Sequence, residues 1–142
     1  MFLLRYEHAI DDKGRMIIPA RYRELLDGGG FITRGFDQNL MVLTTSHFEA
    51  MYARINQMSL TNPKALNLMR FLFSNASPIE LDKAGRLLIP QPLREFAGLD
   101  GQAVVTGAGR FFEIWSPSRW TAKSEQLDDP ETLQEVYAGL EL

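Results

Sequence analysis

The stretch Asp11-Asp12-Lys13-Gly14-Arg15-Met16-Ile17-Ile18-Pro19-Ala20-Arg21-Tyr22-Arg23-Glu24 returns 71 residues later. There it reads Asp82-Lys83-Ala84-Gly85-Arg86-Leu87-Leu88-Ile89-Pro90-Gln91-Pro92-Leu93-Arg94-Glu95, with seven of fourteen positions identical. Glycines, prolines and charges stay in phase, so the chain is two copies of one unit. Asp in the first place and Gly in the fourth (Asp11…Gly14, Asp82…Gly85) predict a tight turn. The apolar run that follows predicts a brief strand, closed by a proline suited to the first turn of a helix. Tyr22, Leu25 and Leu26, or Leu93, Phe96 and Ala97, then recur at helical spacing before a glycine-rich break at 28–30 or 98–101.

Outward from this core the correspondence continues with one inserted residue, Gly35 meeting Gly107, Val42 meeting Ile114 and Phe48 meeting Trp120. Strands are expected over 31–34 and 40–43, with counterparts at 102–106 and 111–115. Ser46-x-x-Glu49 reads as a capping box ahead of a helix whose apolar face holds Phe48, Met51, Tyr52, Ile55 and Met58. Asn62-Pro63 opens a second helix that is apolar on more than one face. Such a helix is hard to bury on a small monomer, so Leu66, Met69, Phe71, Leu72 and Phe73 are candidate oligomer-interface residues. Asp129-Pro130-Glu131 starts a last helix carrying Leu133, Val136, Tyr137 and Leu140. The fold class is α+β with a mainly β core. The expected organisation is a first repeat at 5–47, a helical connection at 48–75, a second repeat at 76–119 and an acidic helical tail at 120–142.

Composition narrows the function. Of 142 residues, 45% are apolar and 23% charged, which is an ordinary globular balance. The absence of cysteine removes disulfides, zinc fingers and thiolate nucleophiles. His8 and His47 have no metal-binding spacing, so no metal or cofactor is expected. Met1-Phe2-Leu3-Leu4-Arg5 is too short for a secretory leader, and no apolar run suggests a membrane segment. Gly28-Gly29-Gly30 and Gly107-Ala108-Gly109 fit no phosphate-loop or dinucleotide fingerprint, and no Gly-x-Ser-x-Gly is present, so neither an enzyme nor a small-molecule substrate is expected. The net charge of −3 argues against a polyanion partner only until it is divided. Residues 1–120 hold 14 basic against 12 acidic side chains, whereas 121–142 hold Lys123 against six acids. The repeat body is therefore slightly basic. Attraction follows local charge over about a Debye length, not the chain total.

The paired Asp-x-x-x-Arg motifs, Asp11…Arg15 and Asp82…Arg86, each followed by aliphatics and a proline, resemble those of the MraZ family of tandem SpoVT/AbrB-type regulators. The resemblance extends through Met69-Arg70-Phe71-Leu72-Phe73 and covers nearly the whole chain. It implies a double-repeat, swapped-hairpin β-barrel with flanking and C-terminal helices. It also implies a nucleoid-associated cytoplasmic protein that binds double-stranded promoter DNA at direct repeats upstream of the division and cell-wall gene cluster, as a ring-like homo-oligomer. Arg15 and Arg86 are the leading candidate DNA-binding residues, with Lys13, Lys83, Arg21, Arg23 and Arg94 around them. Asp11, Asp82, Gly14 and Gly85 are expected to shape and orient the turns. The first repeat carries Arg21 where the second has Pro92, so it is expected to contribute more to a polyanion surface. The alternative is an antitoxin-like or scaffold module that uses the acidic tail to hold a protein partner.

Overall fold

The computed structural model describes residues 1–141. Each repeat supplies four strands and two helices in matching order. The first contributes β1 (Arg5–Ala9), β2 (Arg15–Ile17), α1 (Ala20–Leu25), β3 (Gly30–Arg34), β4 (Leu40–Thr44) and α2 (Thr45–Ile55). Helix α3 (Pro63–Phe73) connects it to β5 (Ser77–Pro78), β6 (Arg86–Leu88), α4 (Gln91–Ala97), β7 (Gln102–Gly107), β8 (Phe111–Trp115) and α5 (Pro117–Leu127). Helix α6 (Pro130–Ala138) follows.

The repeats interlock. A six-stranded antiparallel sheet runs β1-β7-β8-β4-β3-β5, so each repeat's opening strand pairs with the other repeat's third strand. Strands β2 and β6 form a separate antiparallel ladder in which Met16 faces Leu87. Single bridges, Ile10 with Met16 and Leu81 with Leu87, tie that ladder to the outer strands. Ladder pairing alone closes no barrel among the described residues, and the architecture is α+β with a mainly antiparallel sheet.

Both repeats fill one core. Met16, Ile18 and Tyr22 from the first meet Leu87, Ile89 and Leu93 from the second, over Ile32, Leu40, Val42, Val105, Phe112 and Ile114. Burying both sets together is the main favourable term holding the halves in one piece. Residues Leu40–Leu43 are apolar without interruption because β4 is covered twice. Leu40 and Val42 face this shared core, while Met41 and Leu43 face Leu72 of α3 with Phe48 and Phe111 beside them. Thr33 Oγ1 donates to the Leu72 carbonyl at 2.6 Å and Arg34 Nε to the Phe71 carbonyl at 3.0 Å, fixing the end of α3 on β3.

Several expectations change here. Helix α2 is capped by Thr44, whose hydroxyl accepts from the His47 amide at 3.2 Å, so Ser46 and Glu49 do not form the expected capping box. Strands β1 and β5 have no distinct signal in the sequence, whereas α5, with Ser116 as its matching cap, starts the expected helical tail three residues earlier, at Pro117. The Asn62 cap and the start of the last helix at Asp129-Pro130 stand as expected. Leu72, only 1% exposed, lies against its own sheet and is withdrawn from the oligomer-interface set. Phe71 lies under the Arg34 guanidinium at 4.3 Å and Phe73 packs edge-on to Phe48, whereas Leu66 and Met69 are half-buried. No helix among the described residues is long and apolar enough to cross a membrane.

Candidate nucleic-acid interface

The two motifs fold into matching turns. Gly14 N–H donates to the Asp11 carbonyl, and Gly85 N–H to that of Asp82, each at 3.0 Å. Asp11 Oδ1 accepts from the amides of Lys13 at 3.0 Å and Arg15 at 2.9 Å, and its Oδ2 accepts from Arg15 Nε at 2.8 Å. Asp82 repeats this with the amides of Ala84 and Arg86 and with Arg86 Nε at 2.7 Å. The backbone N–H donors of Arg15 and Arg86 lead in holding both carboxyls below their ordinary range, with the guanidinium bonds adding to the effect.

An arginine held at Nε has its fork aimed. Among the described residues neither Arg15 nor Arg86 donates a hydrogen bond from a terminal Nη, although Arg86 Nη1 lies 3.8 Å from Asp11 Oδ2. The arginine side chains remain about a third exposed. Because β2 and β6 pair across the repeats, both arginines emerge from one ladder, Arg15 opposite Leu88 and Arg86 opposite Ile17. Two pre-aimed guanidinium forks on one face suit phosphate oxygens or a guanine edge.

The remaining cations divide in two. Lys13, Lys83 and Arg21 are exposed. Arg23 and Arg94 are partly buried, each against the other repeat's turn. A Cβ on Gly14 would sit 1.2 Å from Arg94 Nη1, and one on Gly85 would sit 1.8 Å from Arg23 Nη1. Arg94 Nη1 also donates to the Lys13 carbonyl at 3.2 Å. Both glycines have positive φ, +84° and +78°. The backbone conformation is what requires glycine, and any side chain there would also push the packed arginine aside. Sequence reasoning missed this locking role. Its signal was present, since Gly14/Gly85 and Arg23/Arg94 are identical in both copies. It missed a second feature, the outward position of Ile17 and Leu88, which strand alternation through Met16-Ile17-Ile18 and Leu87-Leu88-Ile89 demands.

A family model described as "MraZ protein, putative antitoxin-like" matches the chain twice, over residues 1–71 and 72–136. The chain belongs to the MraZ family. Proteins called transcriptional regulator MraZ are 50% identical to it in Roseiflexus sp. (strain RS-1) and 51% in Roseiflexus castenholzii, each over 128 residues and 90% of both chains. A protein of the same name from Clavibacter michiganensis is 42% identical over 144 residues and 99% of both chains. The two tandem MraZ matches each contain one Asp–Arg turn.

Proposed function

We propose that this chain is a DNA-binding transcription regulator that engages duplex DNA through the Arg15 and Arg86 forks. The observation that carries this is the pair of Nε-held guanidiniums on one cross-repeat ladder. The name transcriptional regulator carried by its relatives supports it. Lys13, Lys83 and Arg21 add phosphate contacts, and the free edges of Arg23 and Arg94 contribute to the same basic surface. In this reading β2 and β6, bridged to the outer strands, complete a swapped-hairpin barrel, and the chain is organised as units 5–47, 48–75, 76–119 and 120–142.

One such face binds weakly, with a Kd on the order of 10⁻⁴–10⁻⁶ M for non-specific contacts. A ring-like homo-oligomer presents several faces and gains affinity through effective concentration on direct repeats. Leu66 and Met69, with the outer edges of Phe71 and Phe73, form part of the assembly surface. The protein acts in the cytoplasm on the nucleoid, at promoter repeats of the division and cell-wall gene cluster.

Fluorescence anisotropy against the DNA upstream of its own gene, over a salt series, tests this. Arg15→Ala with Arg86→Ala is expected to weaken binding at least tenfold and to reduce the preference for that DNA over unrelated duplex, whereas Lys13→Ala with Lys83→Ala is expected to flatten the slope of log K against log salt by about 2. Parental affinity and preference in the arginine variant exclude the assignment. A protein-binding role, as an antitoxin-like module, is favoured by one observation: Leu133, Val136, Tyr137 and Leu140 of the acidic tail are all exposed. Removal of residues 129–142 that leaves DNA binding intact while abolishing a heterologous complex supports that second reading.

A further inference from the structure

We infer that Ile17 and Leu88 are specificity-determining residues that pack against thymine methyl groups while Arg15 and Arg86 read the neighbouring base edges. This rests on the DNA-binding reading above and names what the ladder's outer face recognises. On the inner face of the ladder Met16 and Leu87 are wholly buried. On the outer face Ile17 is 52% exposed and Leu88 38%. One exposed aliphatic on a protein surface is ordinary. Here two occupy equivalent positions of the two repeats, each directly across the ladder from an outward arginine, Ile17 from Arg86 and Leu88 from Arg15. The result is a two-by-two patch of alternating guanidinium and aliphatic groups.

Its dimensions suit the major groove. Strands about 4.8 Å apart with same-face residues about 6.7 Å apart make a patch narrower than the groove's width of about 12 Å, which admits a two-stranded ribbon. The chemistry favours base edges over phosphate at its centre. A shallow depression beside Leu88 is lined by Arg15, Arg86 and Leu81, but also by the carboxylates of Glu80 and Asp82. Carboxylates and aliphatics repel or fail to solvate a phosphate, whereas base-pair edges offer the thymine methyl to the aliphatics and the adenine N6 or cytosine N4 amino group to the carboxylates. Arginine pairs with guanine O6 and N7, and aliphatic side chains contact the thymine C5 methyl. Arginine and aliphatic groups about 5–7 Å apart span one to two base steps. The recognised repeat is therefore expected to place thymine within two base pairs of guanine.

The test uses the full chain and duplexes selected from a random-sequence library, with each thymine replaced in turn by deoxyuridine to remove its methyl. The parent is expected to bind about fourfold more weakly per methyl lost at one or two positions. Ile17→Ala and Leu88→Ala are expected to bind the thymine duplex about that much more weakly and to be indifferent to deoxyuridine there, with urea midpoints lowered only slightly because both side chains are partly exposed. Parental indifference to deoxyuridine overturns the inference, as does unchanged thymine discrimination in the two variants. A changed oligomer mass with unchanged discrimination also overturns it, making the aliphatic pair a subunit contact. A parent that enriches no duplex removes the DNA-binding reading itself, and this inference with it.

Discussion

The Asp11 and Asp82 turns agree within 0.1 Å in every carboxylate hydrogen bond, yet the arms leading into them differ. Strand β1 runs five residues where β5 runs two. Tyr22 occupies the place that Leu93 fills in the second repeat. Its hydroxyl donates to the Leu3 carbonyl, just before Leu4 takes a positive φ of 71°. Burial, with the Tyr6 hydroxyl adding, pushes the Tyr22 hydroxyl up to about 12, so it stays a donor at neutral pH. What the two copies share is what the interlocked turn needs: Asp, Gly, and an arginine reaching across. Where they differ, each half is fitted to its own arm and charge.

Breaking the shared part should cost most. Gly14→Ala places a methyl into Arg94 in a backbone conformation that disfavours L side chains, and a loss of about 3 kcal/mol is expected in urea unfolding. Gly85→Ala should cost less, because among the described residues Arg23 makes no hydrogen bond matching that of Arg94 to Lys13. Equal and negligible losses would show that the cross-repeat arginines are not locked. Tyr22→Phe tests the unequal arms and should cost about 1 kcal/mol, confined to the first repeat and seen as faster amide exchange in residues 2–6. Arg21→Ala tests the charge difference. It should lower the salt slope of DNA binding by about 0.9, whereas Pro92→Ala should leave it unchanged.

The smallest effect is the acid limb. Both turn carboxyls lie below their ordinary value of 3.8, so their contribution to stability is present above about pH 4 and is lost as pH falls through the folded-state values. A double variant, Asp11→Asn with Asp82→Asn, should show a shallower stability loss on acidification from about pH 5 to about pH 2. A slope as steep as the parent's would mean that other carboxylates govern acid unfolding.

Much of this was legible in the chain. The repeat, the turns and α3 with its Asn62 cap all follow from spacing and residue type, whereas the roles given to Arg15 and Arg86 rest on the family resemblance. Strand β1 was not legible, because Arg5-Tyr6-Glu7-His8-Ala9 is stabilised by pairing with β7, about a hundred residues away. Helix α5 was expected only from residue 120, because the cap at its true start, Ser116, resembles any loop serine. The oligomer-interface expectation for Leu72 failed because period and hydrophobicity report that a face must be covered, not by what. Here β4 needs cover on both sides.

The sequence by itself determined that there are two like units, each with an aspartate placed to aim an arginine, because a four-residue turn and its hydrogen bonds are local. Only the tertiary structure decided that the units interlock. That pairing puts Arg15 and Arg86 on one ladder, sets Arg23 and Arg94 against the opposite glycines, and turns Ile17 and Leu88 outward beside them. Which strand meets which is settled by the shared core of the two halves, and burial on that scale is a property of the whole chain.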